Sequence, residues 1–329
     1  MLNTLVVGLG ARGRNILEEN VLCAPDWNIV AAAEPSADCR EATAELVPGL
    51  PLFADYGEAL RETECDVVVL YTPGPMHGGH IAAALEAGRH VLVEKPFTLS
   101  HREAIDLTRL AEADELKIAV GQNLRYLPLF RELRRKVAAG DWGRIGYVAT
   151  TQNRYRPTAR NLKGMAHAWL LENAVHEWDR LLAVVQQRPT RIYAREFDTP
   201  WSDYLQGATD AVIEFEGGVN AVTQGSFISQ SNDFRWRMDT EAGTVLAESE
   251  QAYRLITPDS DTTVELGGSH MDGTRAVVTE ICDYFSGGAE TECSARNNLP
   301  TVQLVCAGVR SAVEGCPVDI PEAADEAVD

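Results

Sequence analysis

Two short stretches carry residue types that can hold and move protons. In VVVLYTPGPMHGGHIAAALEAGRHVLVEKP, residues 67–96, an apolar strand passes through a Thr-Pro-Gly-Pro turn into a helix. A second apolar strand, Val91 to Val93, follows and ends in Glu94-Lys95-Pro96. A strand inside a parallel sheet is covered on both faces, so an acid and an amine at its exit are not packing residues. Ligands of open α/β sheets bind at that carboxyl edge, and the chain has only four lysines, at 95, 117, 136 and 163. The second stretch is LLENAVHEWDRLL, where Glu172, His176 and Asp179 fall at i, i+4 and i+7. On a helix these share one face. A histidine with a carboxylate one turn away suits a general base, because the acid orients and steadies the imidazolium. An ordinary helix surface with i,i+4 pairing reads the same way.

The N-terminus supplies a binding loop. An apolar strand over residues 3–8 delivers G-L-G-A-R-G, with Gly8, Gly10 and Gly13 in G-x-G-x-x-G spacing and Ala11 and Arg12 between them, straight into a helix ending near Leu22. Gly8 permits a tight turn, Gly10 lets backbone approach a pyrophosphate, and Gly13 allows close helix–strand packing. The helix N-terminus adds N–H groups and partial positive charge. A second strand ends in Glu34, 21 residues past Gly13, where a carboxylate takes the ribose hydroxyls of NAD. A 2′-phosphate there would meet a like charge, so NAD is preferred over NADP. Arg12 and Arg40 are the two cations that could pair with such a phosphate; Arg12 also reads as a solvated helix-start residue. His77 reads either as a helix-start residue or as a ligand contact.

Positioning these groups takes two domains, the natural count for 329 residues of which 45% are hydrophobic. Residues 1–121 alternate strand and helix, with strands at 3–8, 28–33, 66–71, 90–94 and 117–121 and a short one near Pro51 to Phe53, a doubly wound parallel Rossmann sheet. Residues 122–329 read as an α+β domain with a largely antiparallel open sheet. A helix spans Pro128 to Ala139, a strand Gly143 to Gln152 and a helix about Leu170 to Gln187. A hairpin over 210–227 turns at Gly217-Gly218. Further strands fit 234–239, 252–257 and 262–266, with helices at 273–285 and 301–314.

Composition excludes several classes. A net charge of −20 argues against nucleic acid. No apolar run is long enough to span a membrane, and the first residues are a strand and a glycine loop rather than a signal peptide. Seven scattered cysteines, at 23, 39, 65, 282, 293, 306 and 316, lack C-x-x-C or metal spacing, so no metal site is expected. Reduced thiols in a cytoplasm fit best.

Together the residues resemble the Gfo/Idh/MocA family of NAD(P)-dependent oxidoreductases, over essentially the whole chain. The resemblance rests on GLGARG at 8–13, the acid at 34, TPGPMH at 72–77, AGRHVLVEKP at 87–96, Arg125-Tyr126, His-x-x-Asp at 176–179 and the closing LPTVQLVCAGVRSAVEGCPVDI. It implies that Thr72, Pro73, His77 and Glu94 stand with the glycine loop around the cofactor. It also implies that Lys95 bridges substrate oxygen and nicotinamide ribose, and that His176 exchanges the hydroxyl proton. Arg125 and Asp179 would lie on the substrate side. Two positions depart from the family pattern. Glu172 stands where the family has Asp, after Met165-Ala166-His167-Ala168 in place of a Gly-rich approach, and the turn reads TPGP where the family often has TPN.

The expected activity is hydride transfer between NAD and a secondary alcohol of a sugar, sugar acid or cyclitol, in either direction. A redox-neutral NAD-using glycosidase and a non-catalytic NAD-binding sensor share the same framework, though a sensor has no need of both Lys95 and His176. The segment from Arg154 to Trp169 gathers Arg154, Arg156, Arg160 and Lys163, with Tyr155, His167 and Trp169 able to stack on a sugar ring. It reads either as part of a substrate pocket selecting an acid or as a solvated loop paired with the chain's own carboxylates. Alternating apolar residues over 212–215 and 219–223 leave a sheet face to cover, which points to an oligomer, and the resemblance implies a homodimer or homotetramer.

Overall fold

The computed structural model describes residues 1–18, 26–156, 158, 162–198, 201–268 and 270–328. The end of the first helix near Leu22, Cys23 and Arg160 lie outside the described residues. The chain begins β1 (Leu2–Val7), α1 (Ala11–Glu18), β2 (Trp27–Ala33), α2 (Ala37–Leu46), β3 (Leu52–Phe53), α3 (Tyr56–Glu62) and β4 (Val67–Leu70). It continues with α4 (His77–Glu86), β5 (His90–Val93), α5 (His101–Ala113), β6 (Ile118–Val120), α6 (Pro128–Ala138), β7 (Ile145–Asn153) and α7 (Val175–Val185). Then follow β8 (Pro189–Phe197), β9 (Ala208–Phe215), β10 (Asn220–Ser226), β11 (Asp233–Thr240), β12 (Thr244–Ala247), β13 (Ala252–Thr257) and β14 (Ser260–Glu265). The last elements are α8 (His270–Phe285), α9 (Ala295–Glu314) and β15 (Val318–Asp319). They form two compact units, 1–122 with 274–299, and 123–273 with 300–329.

In the first unit six parallel strands stand in the order β3-β2-β1-β4-β5-β6. Val67 to Leu70 are fully buried, as a central strand covered on both faces requires. Helix starts follow the capping residues: Ser36, Asp55 and Ser100 accept the N–H groups of Cys39, Glu58 and Glu103. The return of 274–299 to this unit has no sign in the sequence. The Val120 N–H donates to the Cys293 carbonyl at 2.8 Å, and the Phe285 ring stacks on His90 with centroids 5.5 Å apart. An amphipathic helix such as α8 shows that one face is covered, not by which surface.

The second unit is a nine-stranded sheet, β14-β13-β12-β11-β7-β10-β9-β8-β15, antiparallel except where β10 runs parallel to β7. The β9–β10 connection turns at Gly217 and Gly218, with φ of +70° and +86°, a conformation glycine adopts at no steric cost. Helix α9 starts at Ala295, ahead of the expected Thr301, with Pro300 inside it. One sheet face is buried, with the Trp178 indole N–H of α7 bonded to Thr223 of β10 at 3.1 Å. On the opposite face Tyr193, Val212 and Val222 are partly exposed and adjacent across β8, β9 and β10. Among the described residues no helix is long and apolar enough to cross a membrane, and no disulfide forms.

Candidate active site

The glycine loop of the first unit is shaped by crowding on two sides and clearance on the third. Gly8 has φ +91°, and a Cβ there would stand 2.6 Å from the Tyr71 carbonyl oxygen; one on Gly13 would stand 2.1 Å from the carbonyl oxygen of Gly8. Nothing lies within 4 Å of the Cβ position of Gly10. The loop therefore closes on β4 and on itself while leaving its middle open to a ligand, which fits a dinucleotide pyrophosphate. Glu34 locks it in place. Its Oε2 accepts the Leu9 N–H at 2.7 Å and its Oε1 the Ser36 N–H at 2.9 Å. Arg40 donates to the Glu34 and Pro35 carbonyls at 2.6 and 2.9 Å, so it is held by backbone beside the acid.

At the exit of β5, Glu94 is bound on both oxygens, by Arg12 Nε at 2.8 Å and by the Lys95 N–H at 3.1 Å. Arg12 is thus an ion-pair partner of Glu94, not a merely solvated helix-start residue. Burial, with Glu94 beside it, pushes the Tyr71 phenol up, and Arg12 partly offsets this. Lys95 is half-buried, and the peptide bond to Pro96 is cis. His77 corrects one expectation. It is 0% exposed, with Nδ1 2.6 Å from the Pro96 carbonyl and Nε2 2.8 Å from the Thr72 carbonyl. Both ring nitrogens are occupied by backbone, so it ties the two turns together rather than touching cofactor. The Thr72 hydroxyl lies 3.3 Å from His80 Nδ1, and Pro73 is exposed on the same turn. Burial, then His77, pushes the His80 imidazole down.

In the second unit the helix bearing Glu172 and His176 is not regular. Leu170–Ala174 form a π turn that runs into α7. Such turns insert one residue into an α-helix and recur at functional sites. Glu172 and His176 lie on and just past it, both half-buried. The smooth i, i+4, i+7 face of the sequence reading is therefore interrupted. Its third member is withdrawn from solvent: Asp179 is 1% exposed, accepts from Arg125 in two bonds and from the Thr301 hydroxyl at 3.0 Å. Arg125 and Asp179, both expected to meet substrate, satisfy each other in the core.

Trp169 is also a core residue. It is 2% exposed, its ring edge-on to Phe227 at 4.7 Å and so close to Gly225 that a Cβ there would stand 2.0 Å from it. It is not available to stack on a ligand. Ahead of it His167 has φ +56°, a left-handed conformation costing about 1–3 kcal/mol in a residue with a side chain. Its N–H donates to Gln206 Oε1 at 2.9 Å and its Nδ1 lies 2.5 Å from Glu196 Oε2. The Glu196 bond raises the imidazole pKa. These contacts hold the turn where the family pattern has glycines. Sequence reading missed Glu177 and Arg180. Arg180 is 0% exposed, pairs with Glu177 and with Glu250 at 3.0 Å, and lies 4.4 Å over the Phe130 ring. The i,i+3 spacing of Glu177 and Arg180 was the available signal.

Tyr155 is exposed and Arg156 lies 4.6 Å over the Phe227 ring. With Arg154 they line a groove of about 520 Å³ at the end of β7. Among the described residues no group of three or more His, Cys, Asp or Glu side chains is placed to hold a metal ion.

Residues 2–122 match the sequence model of the oxidoreductase family with NAD-binding Rossmann fold, and residues 130–246 match that of the GFO/IDH/MocA C-terminal domain. The chain belongs to the Gfo/Idh/MocA family. It is accordingly an oxidoreductase acting on CH–OH groups, with an NAD-binding Rossmann domain. Among the relatives of this Gfo/Idh/MocA protein is the uncharacterised protein y4oX of Sinorhizobium fredii, 26% identical over 291 residues, covering 82% of this chain and 81% of that one. The scyllo-inositol 2-dehydrogenase (NAD(+)) of Bacillus subtilis is 26% identical over 218 residues, 65% of this chain and 64% of that one. The fold also matches an oxidoreductase from Agrobacterium radiobacter solved with NAD+, L-tartaric acid and magnesium, with TM-score 0.85, 16% identity, and coverage of 97% and 98%.

Proposed function

We propose that this chain transfers a hydride between NAD and a secondary alcohol of a sugar, sugar acid or cyclitol. The observation that carries the reading is Lys95 at the exit of β5, next to a Glu94 whose two oxygens are already bound by Arg12 and the Lys95 N–H. Glu94 is thereby fixed in place, and the Lys95 amine stands beside it at the edge where ligands of such sheets bind. Kinship with an inositol dehydrogenase supports the substrate class.

When bound, NAD supplies the hydride acceptor. The open middle of the loop at Gly10, Ala11 and the start of α1 would hold its pyrophosphate, and Glu34 would take its ribose hydroxyls. The turn at Thr72 and Pro73 would border the same cofactor. Lys95 holds the alcohol oxygen and favours the charge that develops there. His176 accepts the hydroxyl proton at an imidazole nitrogen, and the Glu172 carboxylate steadies the imidazolium. The first unit serves the cofactor, the second the substrate and the contact between subunits.

The test is NADH formation across sugars, uronates and inositols, with NAD binding followed in parallel. Turnover on members of the panel supports the reading. NAD binding with no NADH from any of them overturns it in favour of a sensor. Cleavage of glycosides without net NADH overturns it in favour of a redox-neutral glycosidase.

A further inference from the structure

The groove at the end of β7 holds two arginines that form no ion pair among the described residues. Its walls are Gln152 to Arg156 on one side, Asn232 to Phe234 and Glu248 to Glu250 on the other. The chain has 49 acids against 29 basic residues, and its surface arginines find carboxylates readily: Arg144, Arg191, Arg254 and Arg310 each pair with one. Arg154 and Arg156 pair with none among the described residues. Of the acids around them, Glu177 and Glu250 pair with Arg180 and Asp233 with Arg235, while Glu248 stands on the same wall within the electrostatic reach of Arg254.

Arg154 is half-buried, and its Nε is sealed from solvent with no acceptor. Burial lowers its pKa, with Glu177 and Glu250 near enough to offset part of that and Arg180 and Arg156 adding to it, so the sealed Nε remains a donor for a further oxyanion. Arg156 is laid flat over Phe227, which leaves the edges of its guanidinium for a planar oxyanion. Beside them Asn153 Oδ1 is buried without a donor, a position suited to a hydroxyl. Asn232 holds this wall in place by accepting the Tyr155 N–H at 2.9 Å. Lys163 does not belong to the set, because it lies out in solvent 3.9 Å from Asp203.

We infer that this groove binds the carboxylate of the substrate through Arg154 and Arg156, with Asn153 on a neighbouring hydroxyl, so that the substrate is a sugar acid. The inference rests on the dehydrogenase reading for its substrate class, but the groove lies wholly within the second unit and can be tested without chemistry.

Two measurements on the full-length protein decide it. Calorimetric titration with malonate should show binding in the wild type, none with glycerol, and a loss of roughly tenfold or more in Arg156→Met and Arg154→Gln. Arg154→Lys, which keeps the charge, should bind better than Arg154→Gln and controls for folding. Specificity constants for D-glucuronate against D-glucose and D-galacturonate against D-galactose should favour the acid. In Arg156→Met that preference should shrink through KM, with NAD affinity unchanged.

No malonate binding by the wild type, equal binding by the variants, tighter binding of inorganic phosphate, or a preference for neutral sugars would overturn the inference. Malonate binding lost in the variants, with no sugar oxidised, would keep the carboxylate site and remove the dehydrogenase reading. Oxidation of neutral sugars as fast as acids would do the reverse.

Discussion

Glu34 Oε2 accepts a hydrogen bond from the backbone N–H of Leu9 at 2.7 Å, so the acid that would select the cofactor also holds the loop that would bind it. The same carboxylate takes the Ser36 N–H on its other oxygen. Bonds of this charge-assisted kind contribute about 1.5–3 kcal/mol each. NAD is expected to bind more tightly than NADP, because a 2′-phosphate would meet this fixed negative charge. Glu34→Ser should weaken NAD and narrow the gap, as read by fluorescence titration with both cofactors. Equal or tighter NADP binding by the wild type would count against it.

Lys95 and His176 are expected to act on the chemical step. Lys95→Ala and His176→Ala should each lower kcat by a factor on the order of 100 or more, the scale for a positioned acid–base group. NAD affinity should move far less. Near-normal kcat in either variant would remove that residue from the mechanism.

The Arg125–Asp179 pair should show itself in stability rather than in substrate affinity. Removing one partner strips a buried charge of its counter-ion, at a cost of about 3–5 kcal/mol. Urea unfolding of Asp179→Ala should report a loss of that order, with KM on the true substrate little changed in whatever fraction stays folded. A stable variant with a raised KM would return Asp179 to the substrate site.

The His167–Glu196 contact makes stability depend on pH in a set direction. Glu196 raises the folded-state pKa of His167 above the ordinary 6.5. The contribution is therefore fully present below the unfolded pKa and fades as pH rises through the folded one. His167→Gln should lose most stability relative to wild type below about pH 6.5, and less in mildly alkaline buffer. Thermal unfolding of both proteins across that range checks the sign.

Tyr193, Val212 and Val222 form an apolar row on the open face of the second sheet. Two copies pairing through this face would cover it, so light scattering is expected to give at least a dimer of the 36.0 kDa chain. Val212→Glu should shift the mass towards monomer. A wild-type monomer at micromolar concentration would refute the assignment.

What could be read ahead of the structure follows the physics of burial. The run from Val67 to Pro96 was legible because a strand covered on both faces must be apolar, which made Glu94 and Lys95 conspicuous. The place of Glu34 at the end of β2 was legible because its distance from Gly13 is set by one βαβ turn. Arg125, Trp169 and Asp179 were misread, since a charge or a ring in a mixed segment gives no sign of which neighbour will bury it. Asp179 meets Arg125 across 54 positions of chain, a separation no local pattern encodes. Arg154 and Arg156 left two readings open that differed only in whether a carboxylate stood near, and that is a fact of three dimensions.

The π turn at Leu170–Ala174 has a consequence for how this segment can change. It lets Trp169 stay wedged against Phe227 and Gly225 while His176 remains half-buried further along. Because the turn takes up one residue more than α-helical winding needs, deleting one residue within it would let the segment rewind as α-helix with Trp169 and Trp178 left on their present sides. The same deletion at the start of α7 would rotate everything beyond it by about 100° and drive Trp178 and Asp179 out of the core. The segment can therefore change length by one residue only at the turn that carries Glu172, and elsewhere along it only in residue type.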